Sequence, residues 1–406
     1  MNAAEALPVS VAGEQRLEEM LTESIAAAVE RARAAFDRAA APFEHRLVLF
    51  GAGGFGRRTL QGLRQSGVEP LAFADNNPAL WGKIVEGVPV YSPKDAAGKF
   101  AASATFVVTI WNGSAADRMT DRVLELKSLG CERAIPAPFL FWKYAGAFLP
   151  HYPLDLPAKL LGKSSRVRAA FRLWADEASR AEYVAQVAFR LFLHFDGLGC
   201  PDQEHYFPRD LFDLHENEIL VDCGAFDGDT IASFIVRQRA RFDRILAYEP
   251  DPLNWERLQR RIAQLPADVR ARVSTFPHVV GARSGTIEFN STGTDLSTAG
   301  SGTMSVECIE LDRSLRDVAP TLIKFDIEGF ELEALAGARQ VIARSRPILA
   351  VSSYHLQAHL WEAPLALASM CSRYRYFLRP HGTEGWDLVC YAIPEERVKR
   401  DGEAYG

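Results

Sequence analysis

Ile219-Leu-Val-Asp222-Cys-Gly224-Ala225-Phe226-Asp227-Gly228-Asp229-Thr230 reads as a buried strand that ends in an acid, turns on glycines and opens a helix. Gly224 and Gly228 let the backbone turn sharply beside a ligand, and the helix N-terminus that follows presents free N–H groups to it. Nineteen residues past Thr230 a second apolar run, Arg244–Tyr248, ends in Glu249-Pro250. A carboxylate at that place can accept hydrogen bonds from both hydroxyls of a ribose, which selects a nucleoside.

A glycine loop followed by an acid suits either a nicotinamide cofactor or S-adenosylmethionine. Here the loop is Asp-x-Gly-x-x-x-Gly rather than Gly-x-Gly-x-x-Gly, and it contains Asp227 and Asp229. Such acids would crowd a pyrophosphate but suit a ligand that carries a sulfonium and an ammonium, so the loop predicts an S-adenosylmethionine site. A third strand end, Ile323-Lys324-Phe325-Asp326-Ile327-Glu328-Gly329-Phe330-Glu331, delivers Asp326 and Glu328 to the same end of the sheet. Further strands are expected at 273–280, 347–351 and 388–393, with 286–290 and 306–311 as an antiparallel pair around a mobile loop at 291–303. Strands alternating with helices predict an α/β domain with a mostly parallel sheet, whose ligands sit at the carboxyl ends of the strands.

Toward the N-terminus the same grammar recurs on a smaller scale. Residues 46–50 form an apolar strand, Gly51-Ala-Gly53-Gly54-Phe-Gly56 a tight loop, 57–67 a helix, and 71–74 a second strand ending at Asp75. With a third strand at 106–110, this predicts a small Rossmann-like domain running to about residue 150. The loop amides favour phosphate, Arg57 would add a charge-assisted contact, and Asp75 falls where a ribose-binding acid would sit. A nucleotide or nucleotide sugar, a dinucleotide, and a scaffold that binds nothing all fit this unit. The first forty residues read as one helix, with Leu17, Leu21, Ile25, Ala28, Val29, Ala32 and Phe36 at helical spacing. That helix is a candidate homodimer contact or packs on its own domain. Residues 138–153 are dense in aromatics, among them Phe141, Trp142, Phe148 and Tyr152, and read as a docking surface. Residues 166–195 read as a helical connector. The expected layout is an N-terminal helix at 1–42, the small domain at 43–150, the connector at 151–215 and the larger α/β domain at 216–406.

Two domains are what 406 residues with 48% hydrophobic and 24% charged composition lead one to expect. Lys plus Arg total 46 against 52 Asp plus Glu, and a net charge of -6 gives no electrostatic reason to expect nucleic acid. The six cysteines show no metal-finger or redox spacing. The acidic N-terminus lacks signal-peptide order and no apolar run is long enough to span a membrane, so the expected location is cytoplasmic.

The three motifs, 222–230, Tyr248-Glu249-Pro250 and 324–331, together resemble the FkbM-type methyltransferases over about residues 204–393. The resemblance implies a class I methyltransferase fold, S-adenosylmethionine as donor and methylation of a hydroxyl. It places Asp222, Gly224 and Thr230 at the donor's methionine part, with Ala225, Phe226, Gly228 and Asp229 in the same binding loop. Glu249 and Pro250 fall at the ribose, and the adenine lies near 278–280, which includes Val280. The approach Glu204-His-Tyr-Phe-Pro208 is similar to members from bacterial glycan-biosynthesis loci and implies a sugar hydroxyl, on a small molecule or a glycan, as acceptor. The N-terminal unit is similar to the nucleotide-binding domain that precedes some sugar acetyltransferases.

A sugar hydroxyl is a poor nucleophile and calls for a general base. Asp326, Glu328 and His355 are the candidates, and histidine has the most suitable unperturbed pKa. His205 and Tyr206 are placed to wall the acceptor pocket. Nothing in the spacing of the acids demands a metal. The rival readings are an NAD-dependent enzyme centred on the N-terminal loop, and a non-catalytic module that senses nucleotide sugar or NAD while retaining a methyltransferase fold.

Overall fold

The structure, a computed structural model, describes residues 9–202, 204–294, 297–300 and 302–399. Ile219–Cys223 and Leu322–Phe325 are almost wholly apolar and almost wholly buried, as expected of strands covered on both faces. They pair in parallel at the centre of a seven-stranded sheet. Across that sheet the order is Tyr374–Pro380, Leu388–Pro394, Ile348–Ser352, Leu322–Phe325, Ile219–Cys223, Arg244–Tyr248, Val273–Phe276. All neighbours run parallel except Leu388–Pro394, which is antiparallel to both strands beside it. From Ile219–Cys223 the chain builds outward on one side, then returns to Leu322–Phe325 on the other. The carboxyl ends of these two strands therefore form a topological switch point, where α/β sheets bind ligands.

On the way back the chain makes a second, four-stranded sheet in the order Val279–Val280, Met304–Ile309, Gly285–Asn290, Thr298–Ala299. Gly285–Asn290 and Met304–Ile309 are the expected antiparallel pair. The expected strand at 273–280 is split between the large sheet and this small one.

The N-terminal part has a six-stranded sheet with Leu47–Phe50 between Ala72–Ala74 and Thr105–Val108, all parallel. Val88–Tyr91 and Ala134–Pro136 extend it, and Ile84–Val85 adds a short antiparallel edge. The expected single helix over the first forty residues is two, Val9–Leu21 and Ile25–Ala40. Helical spacing runs through the break, but Ser24 turns its side chain onto the Ala27 amide and starts a new helix. The connector likewise divides into Ser164–Phe171 and Glu177–Phe192, with Asp176 capping the second. Leu17, Leu21, Ala28, Ala32 and Phe36 are buried within the chain, while Ile25 and Val29 stay exposed. Most of the predicted dimer stripe is thus spent on internal packing.

The hairpin between Tyr374–Pro380 and Leu388–Pro394 ties the C-terminal sheet to the N-terminal part. The buried Glu384 carboxylate accepts the Met119 and Thr120 amides at 2.8 Å each, capping the helix Met119–Ser128. Trp111 Nε1 donates to the Glu384 carbonyl at 3.0 Å. Phe141, Trp142 and Phe148 are buried, in line with a docking role for the aromatic stretch. Among the described residues no helix is long and apolar enough to cross a membrane.

Candidate active site

At the switch point the strand ends line a cleft, at the place where α/β sheets bind small ligands. Of the residues the sequence assigns to the donor, Gly224, Phe226, Glu249, Pro250 and Val280 line it, joined by Asp326 and Glu328. Ala225, Gly228, Asp229 and Thr230 are not among the lining residues, and Asp222 is fully buried behind it. Gly224 holds φ +81°, and a Cβ there would lie 1.9 Å from the Asp326 carbonyl oxygen, so glycine is what lets the two strand ends touch. Asp227 is ion-paired to Arg261 at 2.6 Å, and Asp229 accepts the Thr230 amide. The two acids that the sequence reading turned toward the ligand instead brace their own loop.

Glu249 is nearly buried at the ribose end of the expected site. Its Oε2 accepts the Phe226 amide at 2.8 Å and its Oε1 the Asp251 amide at 2.9 Å. Each oxygen keeps a second lone pair for a ligand hydroxyl. Burial pushes the Glu249 carboxyl up to about 7, against the pull of those two amides. His278, Val279, Val280, Phe289 and Ala299 continue the cleft as a mainly apolar slot.

The stretch expected to be a mobile loop is tied to the cleft by its described residues. Asp251 accepts the Ser291 and Ser297 hydroxyls at 2.7 Å each and the Gly293 amide at 3.0 Å. Burial would raise the Asp251 carboxyl, but these bonds prevail and hold it at about 2. Thr294 and Ser297 then wall the same cleft as Glu249.

The third strand end carries a buried charge network. Lys324 Nζ donates to Asp222 Oδ1 at 2.9 Å and to the Gly224 carbonyl at 2.7 Å, and lies 3.8 Å from Asp326 Oδ2. Burial pulls the lysine down, yet Asp222 and Asp326 more than reverse this and keep it charged. Burial raises Asp222 to about 6 even with Lys324 opposing. Asp326 Oδ2 also accepts the Tyr206 hydroxyl at 2.7 Å. Burial would lift Asp326, but Lys324 and then His355 take it below the usual carboxylate range.

His355 is nearly buried, with Nδ1 2.7 Å from Glu331 and Nε2 3.3 Å from Glu328 and 3.4 Å from Asp326. Burial favours a neutral ring, but Glu328 and Glu331 overcome it and hold the imidazole well above its usual pKa. An imidazolium has no lone pair to take a proton. The expectation that His355 serves as general base meets a ring shared among three carboxylates. Glu331 also faces His359 at 3.2 Å and accepts the Ile327 amide at 3.0 Å, fixing the 326–330 turn. Glu328 holds a left-handed φ of 55°, a conformation that persists where the surroundings over-determine it. Burial raises its carboxyl, with His355 opposing and Asp326 adding to the rise.

Sequence reasoning missed Lys324, although a lysine inside an apolar strand is a signal that it must meet buried acids. It also missed Asp387, half-buried beside Tyr354 and raised to about 6 by burial and by Asp326.

Residues 222–382 match the family model of the methyltransferase FkbM domain. Over the whole chain, the fold is similar to that of a methyltransferase FkbM from Methylobacillus flagellatus. That likeness has a TM-score of 0.75 and 22% identity, and covers 95% of this chain and 100% of the other. Shorter likenesses include a precorrin-6y C5,15-methyltransferase from Geobacter metallireducens, at 13% identity, a TM-score of 0.28, and coverage of 45% and 83%. An SAH-bound methyltransferase from Podospora anserina gives 11% identity, a TM-score of 0.26, and coverage of 56% and 86%. No curated protein sequence matches the chain. The domain match supports methyltransferase activity, and the switch-point cleft lies within the matched residues save for their supporting neighbours.

Proposed function

We propose that the chain is an S-adenosylmethionine-dependent O-methyltransferase acting on a sugar hydroxyl in glycan or glycoconjugate assembly. The observation that carries this reading is the pairing, in one cleft, of Glu249 at the ribose position with Asp326 and Glu328 at the switch point. A donor with a sulfonium and an ammonium fits this end. Asp326 lines the cleft, and its Oδ1 has no hydrogen-bond partner among the described residues, so acceptor capacity is left over for a cationic ligand. When bound, S-adenosylmethionine supplies the methyl group on its sulfonium.

The protein's part is to hold, orient and deprotonate. Glu249 anchors the nucleoside through both oxygens, while Lys324 keeps Asp222 and Asp326 apart and ionised. Asp326 presents a fixed negative charge, and Glu328, the less acidic of the two lining acids, takes the proton. The acceptor oxygen forms the new O–C bond as the C–S bond breaks and its electron pair returns to sulfur. The acceptor's proton passes to a Glu328 Oε atom. Orientation of this in-line transfer carries much of the rate, and the base adds about 10²–10⁴-fold. The acids disfavour a phosphate or carboxylate at the acceptor's reacting end, in keeping with a neutral hydroxyl. The four-part layout at 1–42, 43–150, 151–215 and 216–406 belongs to the same reading.

Calorimetric titration with S-adenosylmethionine and S-adenosylhomocysteine tests it. Micromolar binding by the wild type and its loss in Glu249→Ala are expected. A wild-type protein that binds neither ligand would sink the methyltransferase reading.

A further inference from the structure

Two tyrosines from outside residues 222–382 each give a hydroxyl to one of the cleft's acids. Tyr206, in the turn that leads toward the large sheet, donates to Asp326 Oδ2 at 2.7 Å. Tyr152, between the aromatic stretch and the connector, donates to Glu328 Oε2 at 3.4 Å. Both tyrosines hold left-handed backbone, with φ 66° and 48°, a region that residues with bulky side chains rarely adopt. Such conformations persist where surrounding structure holds them, and they cluster at functional sites.

Both rings are held as well. His205 stacks on Tyr206 at 3.8 Å, and Lys324 Nζ sits 5.1 Å from the Tyr206 ring centre. Trp386 packs on Tyr152 at 4.6 Å and His151 meets it edge-on at 5.2 Å. The aromatic stretch therefore does more than dock, because its last member reaches into the site.

We propose that Tyr206 and Tyr152 are positioning residues that divide the work between the two acids. Tyr206 fixes Asp326 as a standing anion beside the donor's sulfonium. Tyr152 holds Glu328 as the proton acceptor by a longer bond, which the acceptor hydroxyl replaces. The assignment rests on the methyltransferase reading. Its physical basis is the asymmetry of the two settings. Asp326 receives a short hydroxyl bond and faces the cations of Lys324 and His355, all of which favour the ionised form. Glu328 shares His355 with Glu331. It also lies in the fields of Asp326, Glu331 and Asp387, with Tyr354 beside Asp387, and is offset by its share of His355 and by the long Tyr152 bond. Glu328 is the more basic acid, and Tyr152 is the group that tunes it.

The test needs no acceptor. S-adenosylmethionine carries a positive sulfur and S-adenosylhomocysteine a neutral one, so the ratio of their affinities reads negative charge beside the sulfur. Calorimetric titration of both ligands from pH 5 to 8.5 would be made on the wild type, Y206F, Y152F, E328Q and the Y152F/E328Q double variant. In the wild type the ratio should rise with pH as Glu328 ionises. Y206F should lower it by about tenfold across the range, the order of a charge-assisted hydrogen bond, with S-adenosylhomocysteine affinity kept. Y152F should move the midpoint upward by roughly half a pH unit or more, because a lost donor favours the protonated acid. E328Q should remove the part of the rise that belongs to Glu328, leaving that of Asp222 and Asp387, and make Y152F silent. A purely structural role would change both ligands alike and leave the midpoint in place. A flat wild-type ratio, an unmoved midpoint in Y152F, or a Y152F effect that survives E328Q would overturn the assignment while binding itself stood. Absence of binding by the wild type would remove the methyltransferase reading beneath it.

Discussion

In the N-terminal sheet, the loop after Leu47–Phe50 sends the Ala52 amide to Asp75 Oδ2 at 2.7 Å, and Asp75 Oδ1 takes the Asn77 amide at 2.8 Å. In the C-terminal sheet, the loop after Ile219–Cys223 sends the Phe226 amide to Glu249 Oε2 at 2.8 Å, and Glu249 Oε1 takes the Asp251 amide at 2.9 Å. The two switch points are built alike as far as the acid. They part at the next strand across the sheet. Thr105–Val108 ends in Thr109, whose hydroxyl bonds back to the Phe50 and Gly51 carbonyls at 3.0 and 2.9 Å. Leu322–Phe325 ends in Asp326, with Lys324 pinned between it and Asp222. The N-terminal loop also spends its polar reach on itself, for Arg57 Nε donates to the Ala52 carbonyl at 3.1 Å and Phe55 stacks on His151 at 5.5 Å. An acid after the second strand is thus a loop brace in both halves. What differs between the two is whether the facing strand end brings unspent charge.

The largest effect should come from removing the cation that this difference turns on. Lys324→Met leaves Asp222 and Asp326 buried without their partner, which should cost about 3–5 kcal/mol. Thr109→Val, at the facing strand end of the N-terminal sheet, loses neutral hydrogen bonds and should cost about 1 kcal/mol. Urea unfolding followed by tryptophan fluorescence would measure both. Equal losses would erase the distinction between the two switch points.

A smaller contrast lies in the glycines. Gly224→Ala meets both a left-handed φ and the Asp326 carbonyl at 1.9 Å, and should destabilise by about 2–4 kcal/mol. Gly53 has ordinary φ and nothing within 4 Å of an added Cβ. Gly53→Ala should therefore change stability by less than about 0.5 kcal/mol. A phosphate-bearing ligand that needs the open space above Gly53 would show itself by losing affinity in this variant, without any change in melting temperature.

The sequence made the large sheet legible because its strands are short apolar runs ended by acids or glycines, and Arg244–Tyr248 and Leu322–Phe325 fall where those runs predict. The donor end of the cleft was legible for the same reason, since Gly224 and Glu249 are fixed by local turns. The roles of the acids were not. Whether His355 is a base or a cation depends on Glu328 and Glu331 arriving beside it, and local pattern carries no record of that meeting. Asp227 looked like a ligand group because Arg261, from the next helix, is invisible to a reading of the loop alone. Tyr376 and its neighbours in Tyr374–Pro380 were passed over because Arg375 and Arg379 interrupt the apolar run, although most of that strand is buried.

The finest contrast is one of pH. With the cleft empty, burial raises the Glu249 carboxyl to about 7. Ligand hydroxyls donate to the carboxylate and so favour its ionised form, which means that binding below this pH must expel a proton. Affinity for S-adenosylhomocysteine should therefore be level above about pH 7 and fall as the pH drops beneath it, by up to about tenfold per unit. The direction follows from the sign of the shift: an acid lowered on binding from a raised value strengthens the complex as pH rises. Glu249→Gln should weaken binding and remove the slope, since the amide does not titrate. Asp75→Asn should leave both affinity and slope as they are, because that acid braces its own loop and is not among the residues that line the cleft. If Asp75→Asn altered the slope instead, the two halves would be coupled through their hairpin contact at Glu384, and the N-terminal part would be a regulator rather than a scaffold.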